Sequence, residues 1–232
     1  MTSVSGVIMA HPERERFIPG LRAALDQPTP IVYDRVNDRW DTGRRALLSF
    51  DSKATHSLVL QDDGLVCRDL YAGVTAALEH VPADAVLSLY AGRTRVFRTA
   101  VAAATRVSRR SRTKPSFLAA TQLLWGVAVV IPTMHIPALV EWGDGHPEIA
   151  NYDKRISYWC AANNVPVWYT WPSLVQHRIS PSLIPGRGSA GRVAYSFVGE
   201  QASARAIDWG GGHVDLGEVP TRLAVAGRRR RL

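Results

Sequence analysis

Thr55-His56-Ser57-Leu58-Val59-Leu60-Gln61-Asp62-Asp63-Gly64 decides how the rest of the chain is read. Ser57 to Leu60 is short and mostly apolar, the signature of a strand covered on both faces. It stops abruptly at Gln61, two adjacent acids and a glycine. Similar runs lie on both sides. Val4 to Met9 carries β-branched residues, and Ile31-Val32-Tyr33-Asp34 ends on an acid. Ala85 to Tyr90, Trp125 to Ile131 and Val165 to Tyr169 follow. Helical spacing fills the intervals: Phe17, Leu21 and Leu25; Arg44 to Phe50; Leu65 to His80, with Leu70, Val74 and Leu78 on one face; Ile136 to Trp142; and Tyr152 to Asn163. His11 to Arg16 and Asn37 to Gly43 are polar and read as turn and loop. Strands alternating with helices predict βαβ units and an α/β protein with a mostly parallel sheet flanked by helices.

The 232 residues, 46% apolar and 21% charged, suit one large globular domain. From Pro181 on, Gly186, Gly188, Ser189 and Gly191 make the chain loop-rich. The expected division is a catalytic domain over 1–180 and an extension over 181–232 that ends in a basic tail. The longest apolar segment, Trp125 to Ile131, ends at Pro132, short of the roughly 18 residues of a membrane span. Met1 to Gly6 has neither a basic region nor an apolar core, so no signal peptide is expected. Cys67 and Cys160 lack metal-ligand spacing and read as reduced thiols, which fits a cytoplasmic protein.

The net charge is +8, with clusters at Arg109-Arg110-Ser111-Arg112-Thr113-Lys114 and Arg228 to Arg231. Such an excess favours a polyanion: nucleic acid, an anionic membrane surface or a nucleotide diphosphate. Each cluster alone reads equally well as a solvated surface.

The acids after the central strand carry the chemistry. In an open α/β sheet, ligands bind at the carboxyl ends of the strands. Adjacent carboxylates there repel each other unless a cation lies beside them, and Mg²⁺ and Mn²⁺ prefer carboxylate and phosphate oxygens. Asp62 and Asp63 therefore read as a metal–diphosphate site. Asp-Asp-Gly is also a common turn tripeptide, and spacing alone leaves both readings open.

Val59-Leu60-Gln61-Asp62-Asp63 resembles the strand-plus-acid signature of GT-A glycosyltransferases, an Asp-x-Asp motif with Gln61 in place of the first Asp. Pro172-Ser173-Leu174-Val175-Gln176-His177 is similar to a Pro-Ser-Leu-x-Gln-His segment late in several GT-A families. The resemblance spans roughly Val4 to His177. It implies a GT-A-like fold and sugar transfer from a nucleotide-sugar donor, foremost a UDP-sugar, with Mn²⁺ or Mg²⁺. It implies that Asp63 and His177 hold the metal and that Asp62 contacts the donor ribose or sugar. Met9, Ala10, His11 and Arg14 after the first strand, and Asp34 after the second, would hold base and ribose. Arg44 or Arg45 can grip a diphosphate through its planar fork, or simply face solvent. An inverting enzyme needs a general base, whereas a retaining one does without. Among Glu141, Asp144, Glu148 and Asp153, it is Asp153 that resembles the acceptor-side acid of inverting GT-A enzymes. An acid opening a helix also reads as an N-cap.

Compact GT-A proteins without an anchor resemble phage and bacterial enzymes, some of which glycosylate a hydroxymethylated pyrimidine in DNA. That makes DNA the favoured acceptor. The Arg109–Lys114 and Arg228–Arg231 clusters would touch phosphates, and a flipped base would stack on Trp142, Trp168 or Trp171. A virion protein or a glycan is the alternative acceptor. A non-catalytic nucleic-acid-binding protein is the alternative from another class, and it leaves the acids and His177 without a use.

Overall fold

A computed structural model of the chain describes residues 1–93, 98, 101, 102, 105, 106, 109, 114–183 and 192–217. Eight strands form the main sheet: β1 (Val4–Ala10), β2 (Ile31–Tyr33), β3 (His56–Gln61), β5 (Val86–Ser88), β6 (Phe117–Ala120), β7 (Ala128–Pro132), β8 (Val167–Thr170) and β10 (His213–Asp215). Their order is β10-β6-β8-β5-β7-β3-β1-β2. β1, β2, β3, β5 and β8 share one direction, and β6, β7 and β10 run the other way. The expected α/β architecture is present, with its parallel part around β1, β2 and β3.

The helices are α1 (Ile18–Ala24), α2 (Arg39–Leu48), α3 (Leu70–Leu78), α4 (Ile136–Asp144) and α5 (Tyr152–Ala162). Successive strand residues point to opposite faces. Ile8, Leu58 and Leu60 therefore join a core with Leu21 of α1 and Leu70 and Val74 of α3. Val7 and Val59 join a second core with Trp40 and Leu47 of α2, Leu139 of α4 and Ile156 of α5. Covered on both sides, β3 is buried from His56 to Leu60, which is why its sequence is a continuous run.

Three departures have physical causes. The residues after Asp63 do not enter a helix at once. Gly64–Val66 forms β4, which pairs antiparallel with β9 (Val175–His177) in a separate ribbon. Its partner is more than 100 residues away, so no local period reveals it. The polar stretch Asn37 to Gly43 is not all loop, because α2 begins at Arg39. Asp38 caps it: Oδ1 accepts the Trp40 N–H at 2.8 Å. Gly43 is tolerated inside α2 because Tyr152 packs on it, and a Cβ there would fall 2.5 Å from that of Tyr152. Finally, the loop-rich region contains a strand, β10, which pairs with β6 at the edge of the main sheet, and Trp209 stacks on Phe117 at 5.3 Å between ring centroids. The Gly-rich stretch 186–191 and the tail Arg228–Arg231 lie outside the described residues.

Among the described residues no helix is long and apolar enough to cross a membrane. Cys67 and Cys160 are both fully buried free thiols. Burial pushes both up to about 12. A thiol-reactive dye at neutral pH is expected to label neither in the folded protein and both after denaturation. Labelling of a native thiol would contradict this packing.

Candidate functional site

β1 and β3 pair in parallel, with Met9 opposite Gln61. Their carboxyl ends therefore finish side by side, where an open sheet offers a crevice. Asp62 and Asp63 form the turn just beyond β3, before β4 begins. The turn is held by backbone: the Asp62 N–H donates to the Met9 carbonyl at 3.1 Å, and the Arg178 N–H donates to the Asp63 carbonyl at 2.8 Å. The β4–β9 ribbon sets His177 opposite Gly64, one residue past Asp63. That pairing brings the acidic turn and the Pro172–His177 segment together. Asp62 and Asp63 do form a turn, as the Asp-Asp-Gly tripeptide suggests.

Asp62 and Asp63 are 3% and 1% exposed, so their charges must be answered from within. Asp62 Oδ2 accepts the His11 N–H at 2.7 Å. Arg14 Nη1 donates to Asp62 Oδ1 at 3.1 Å and, by a short contact, to Asp63 Oδ2. Burial nevertheless raises the Asp62 pKa, and Asp63 adds to it; the His11 N–H and Arg14 pull the other way. Asp63 Oδ1 is buried and has no hydrogen-bond donor.

His177 makes this environment specific. Its Nδ1 lies 2.7 Å from the Arg178 carbonyl, which can only accept, so Nδ1 carries the proton. Its Nε2 lies 3.3 Å from Asp63 Oδ2. Were Nε2 protonated, the contact would be an ion pair, as Asp63 favours. Burial weighs more than Asp63 and, together with Arg192 and Arg14, pushes the His177 pKa below its ordinary value. The ring is therefore neutral at neutral pH, and an imidazole lone pair faces a carboxylate oxygen. That oxygen also accepts from Arg14 Nη1, so the guanidinium is the cation that answers it here.

Among the described residues no group of three His, Cys, Asp or Glu side chains converges to hold an ion. Mg²⁺ commonly takes only one or two protein ligands, with phosphates and water completing the shell. Asp63 Oδ1, buried without a donor, is an atom that an ion of that kind would satisfy.

A cleft of about 380 Å³ opens beside this turn. Met9, Ala10, His11, Arg14, Asp34, Asp62, Asp63 and Asp153 all line it. Asp34 is shaped as a turn, its Oδ1 accepting the Val36 N–H at 3.1 Å and the Asn37 N–H at 2.8 Å. Asp153 stands in the first turn of α5, its Oδ1 accepting the Lys154 N–H at 2.9 Å. The N-cap itself is Asn151. His177 does not line the cleft and meets it through Asp63.

Arg44 and Arg45 are not brought to the cleft. Arg44 Nε donates to Asp144 Oδ2 at 2.9 Å and ties α2 to α4. Arg45 donates to Asp41 Oδ2 and to the Tyr33 carbonyl, both at 2.9 Å, fixing α2 against β2. The other candidate acids, Glu141, Asp144 and Glu148, do not line the cleft either. Of the basic stretch, Arg109 and Lys114 are exposed, whereas 110–113 lie outside the described residues.

Several lining residues escaped the sequence reading, notably Arg39, Asn151 and Arg192. Arg192 follows a glycine-rich stretch with no periodic signal. Its placement depends on tertiary contacts: Tyr90 Oη donates to the Arg192 carbonyl at 2.6 Å. Gln176 Oε1 accepts the Ala194 N–H at 2.7 Å, so the Gln of the Pro172–His177 segment anchors the strand of chain that delivers a cleft cation.

No protein-family model matches the chain, and no curated protein matches it. Among solved structures it is similar to a Drosophila β-1,4-galactosyltransferase 7 variant in complex with manganese, UDP-galactose and xylobiose. That likeness has 10% identity and a TM-score of 0.38, over 82% of this chain and 70% of that one.

Proposed function

We propose that this protein is a GT-A-like glycosyltransferase that moves a sugar from a UDP-sugar to a hydroxyl acceptor with the help of Mn²⁺ or Mg²⁺. The observation that carries the reading is the pairing of His177 Nε2 with Asp63 Oδ2 at 3.3 Å, beneath a cleft at the carboxyl ends of parallel strands. Asp63 and His177 would hold the ion. When bound, the ion acts as a Lewis acid that offsets charge on the leaving diphosphate.

The chain's own residues have separable tasks in this reading. Met9, Ala10 and His11 offer backbone and ring atoms to the base and ribose, with Asp34 across the cleft. Asp62 is fixed by the His11 N–H, so its position reports the state of the first strand's end. Arg14 and Arg192 supply positive charge where the diphosphate would lie. Asp153 accepts the proton of the attacking hydroxyl.

Donor binding tests this directly. UDP with Mn²⁺ is expected to raise the melting temperature by about 5–10 °C at roughly 100-fold saturation, since that occupancy contributes about 2.7 kcal/mol. UDP alone, or Mn²⁺ alone, is expected to do little. An equal shift with UDP in the presence of a chelator would remove the metal from the reading. No shift with any nucleoside diphosphate would remove the transferase.

A further inference from the structure

A second cleft, of about 570 Å³, adjoins the first and shares Arg39 and Asn151 with it. Arg39 Nη1 donates to Asn151 Oδ1 by a short contact, so the two side chains form the partition. The remaining wall is of another character. Trp142 of α4 and His146 just after it are stacked, with centroids 3.7 Å apart and planes 20° apart. His146 Nδ1 donates to the Trp142 carbonyl at 2.7 Å. Tyr158 stands on α5 one turn beyond Lys154, and Glu148 reaches in from the connecting loop. The loop is rigid: Arg155 donates to the Ile149 carbonyl at 2.5 Å and to the Gly143 carbonyl, and it lies 4.5 Å over the Trp40 ring.

We propose that this second cleft is the acceptor subsite and that the acceptor is an uncharged sugar ring of a glycan, an inference that rests on the transferase reading above. A sugar ring has an apolar C–H face and a rim of hydroxyls. The stacked Trp142–His146 pair and Tyr158 offer aromatic surface to the first, and Glu148 and Lys154 offer an acceptor and a donor to the second. Asp153 lies in sequence between Asn151, which both clefts share, and Lys154 of the second cleft, and it lines the first. A nucleic-acid acceptor fits this wall poorly. Phosphates need several cations in a row. Here Glu148 opposes Lys154, and Arg39 is engaged with Asn151.

Saturation-transfer NMR on the full chain tests the subsite, using methyl β-glycosides of glucose, galactose and xylose as probes and a deoxythymidine hexanucleotide as competitor. Thermal shift with UDP and Mn²⁺ serves as an independent readout. Transfer to the ring protons of at least one glycoside is expected, falling at least fivefold in Trp142→Ala, with the UDP–Mn²⁺ increment unchanged. Trp142 also packs against the second core, so the exposed Glu148→Gln is measured beside it and is expected to weaken the same signal about tenfold, as a lost charge-assisted hydrogen bond does. Glycoside signals unchanged in both variants, or signals displaced by the hexanucleotide, would overturn the proposal. A UDP–Mn²⁺ shift with no glycoside binding would sink the subsite and leave the transferase. Glycoside binding at Trp142 without any nucleotide shift would support the sugar site and sink the transferase.

Discussion

Asp63→Asn is expected to abolish the Mn²⁺-dependent part of the UDP thermal shift and to lower sugar transfer on the order of 10²- to 10³-fold. The expected loss corresponds to the several kcal/mol that a divalent cation supplies to a developing charge. The substitution keeps the size of a side chain only 1% exposed, so no cavity opens. It removes the charge that faces His177 Nε2 and that shares Arg14 with Asp62. Arg14 retains Asp62 as a partner, so the stability cost is that of one charge-assisted hydrogen bond, about 1.5–3 kcal/mol. Two roles for Asp63 make different predictions here. A purely structural Asp63 lowers the melting temperature of the ligand-free protein but leaves the UDP–Mn²⁺ increment intact. A metal-holding Asp63 loses the increment itself. The increment, measured across a Mn²⁺ titration, separates them, and a full increment in the variant would return Asp63 to its ion pairs.

The legible part of this molecule was the part written in short range. Leu58-Val59-Leu60 is a continuous run because both faces of β3 are covered, and that pattern identifies a central strand without any alignment. Its abrupt end at Asp62-Asp63 marks a carboxyl terminus where ligands gather, and the cleft lies there. The helices over Ile136–Asp144 and Tyr152–Ala162 were also legible from their 3.6-residue period. What stayed hidden depends on distant partners. β4 and β9 are three residues each, too short for a period, and exist because they pair with each other. Arg44 and Arg45 illustrate the converse. Their charge suggested a phosphate, but Asp144 holds Arg44 from 100 residues away, which no local sequence announces, and Arg45 is held by the Tyr33 carbonyl and by Asp41, one turn before it. Arg192 lies beyond reach for the same reason, because Tyr90 and Gln176 place it.

Asp153→Asn is expected to reduce turnover by about 10²- to 10⁴-fold, the range attributed to a positioned general base, while leaving the UDP–Mn²⁺ thermal increment unchanged. The geometry makes this a clean separation. Asp153 lines the cleft, whereas the Asp63–His177 pair is held by Arg14 and the Arg178 carbonyl. A competing duty lies at the start of α5. There the N-cap is Asn151, and Asp153 contributes a first-turn charge, worth roughly 0.3–1 kcal/mol against the helix dipole. A capping role would therefore show as a small drop in melting temperature with normal kinetics. A base would show as a collapse of kcat with normal stability and normal donor affinity. The pair of measurements also bears on stereochemistry. Inversion at the anomeric carbon requires a base to deprotonate the incoming hydroxyl, and retention does not. A fully active Asp153→Asn protein would thus release this residue from the reaction and point to retention, with Asp62, Asp63, Arg14 and Arg192 left to bind the donor.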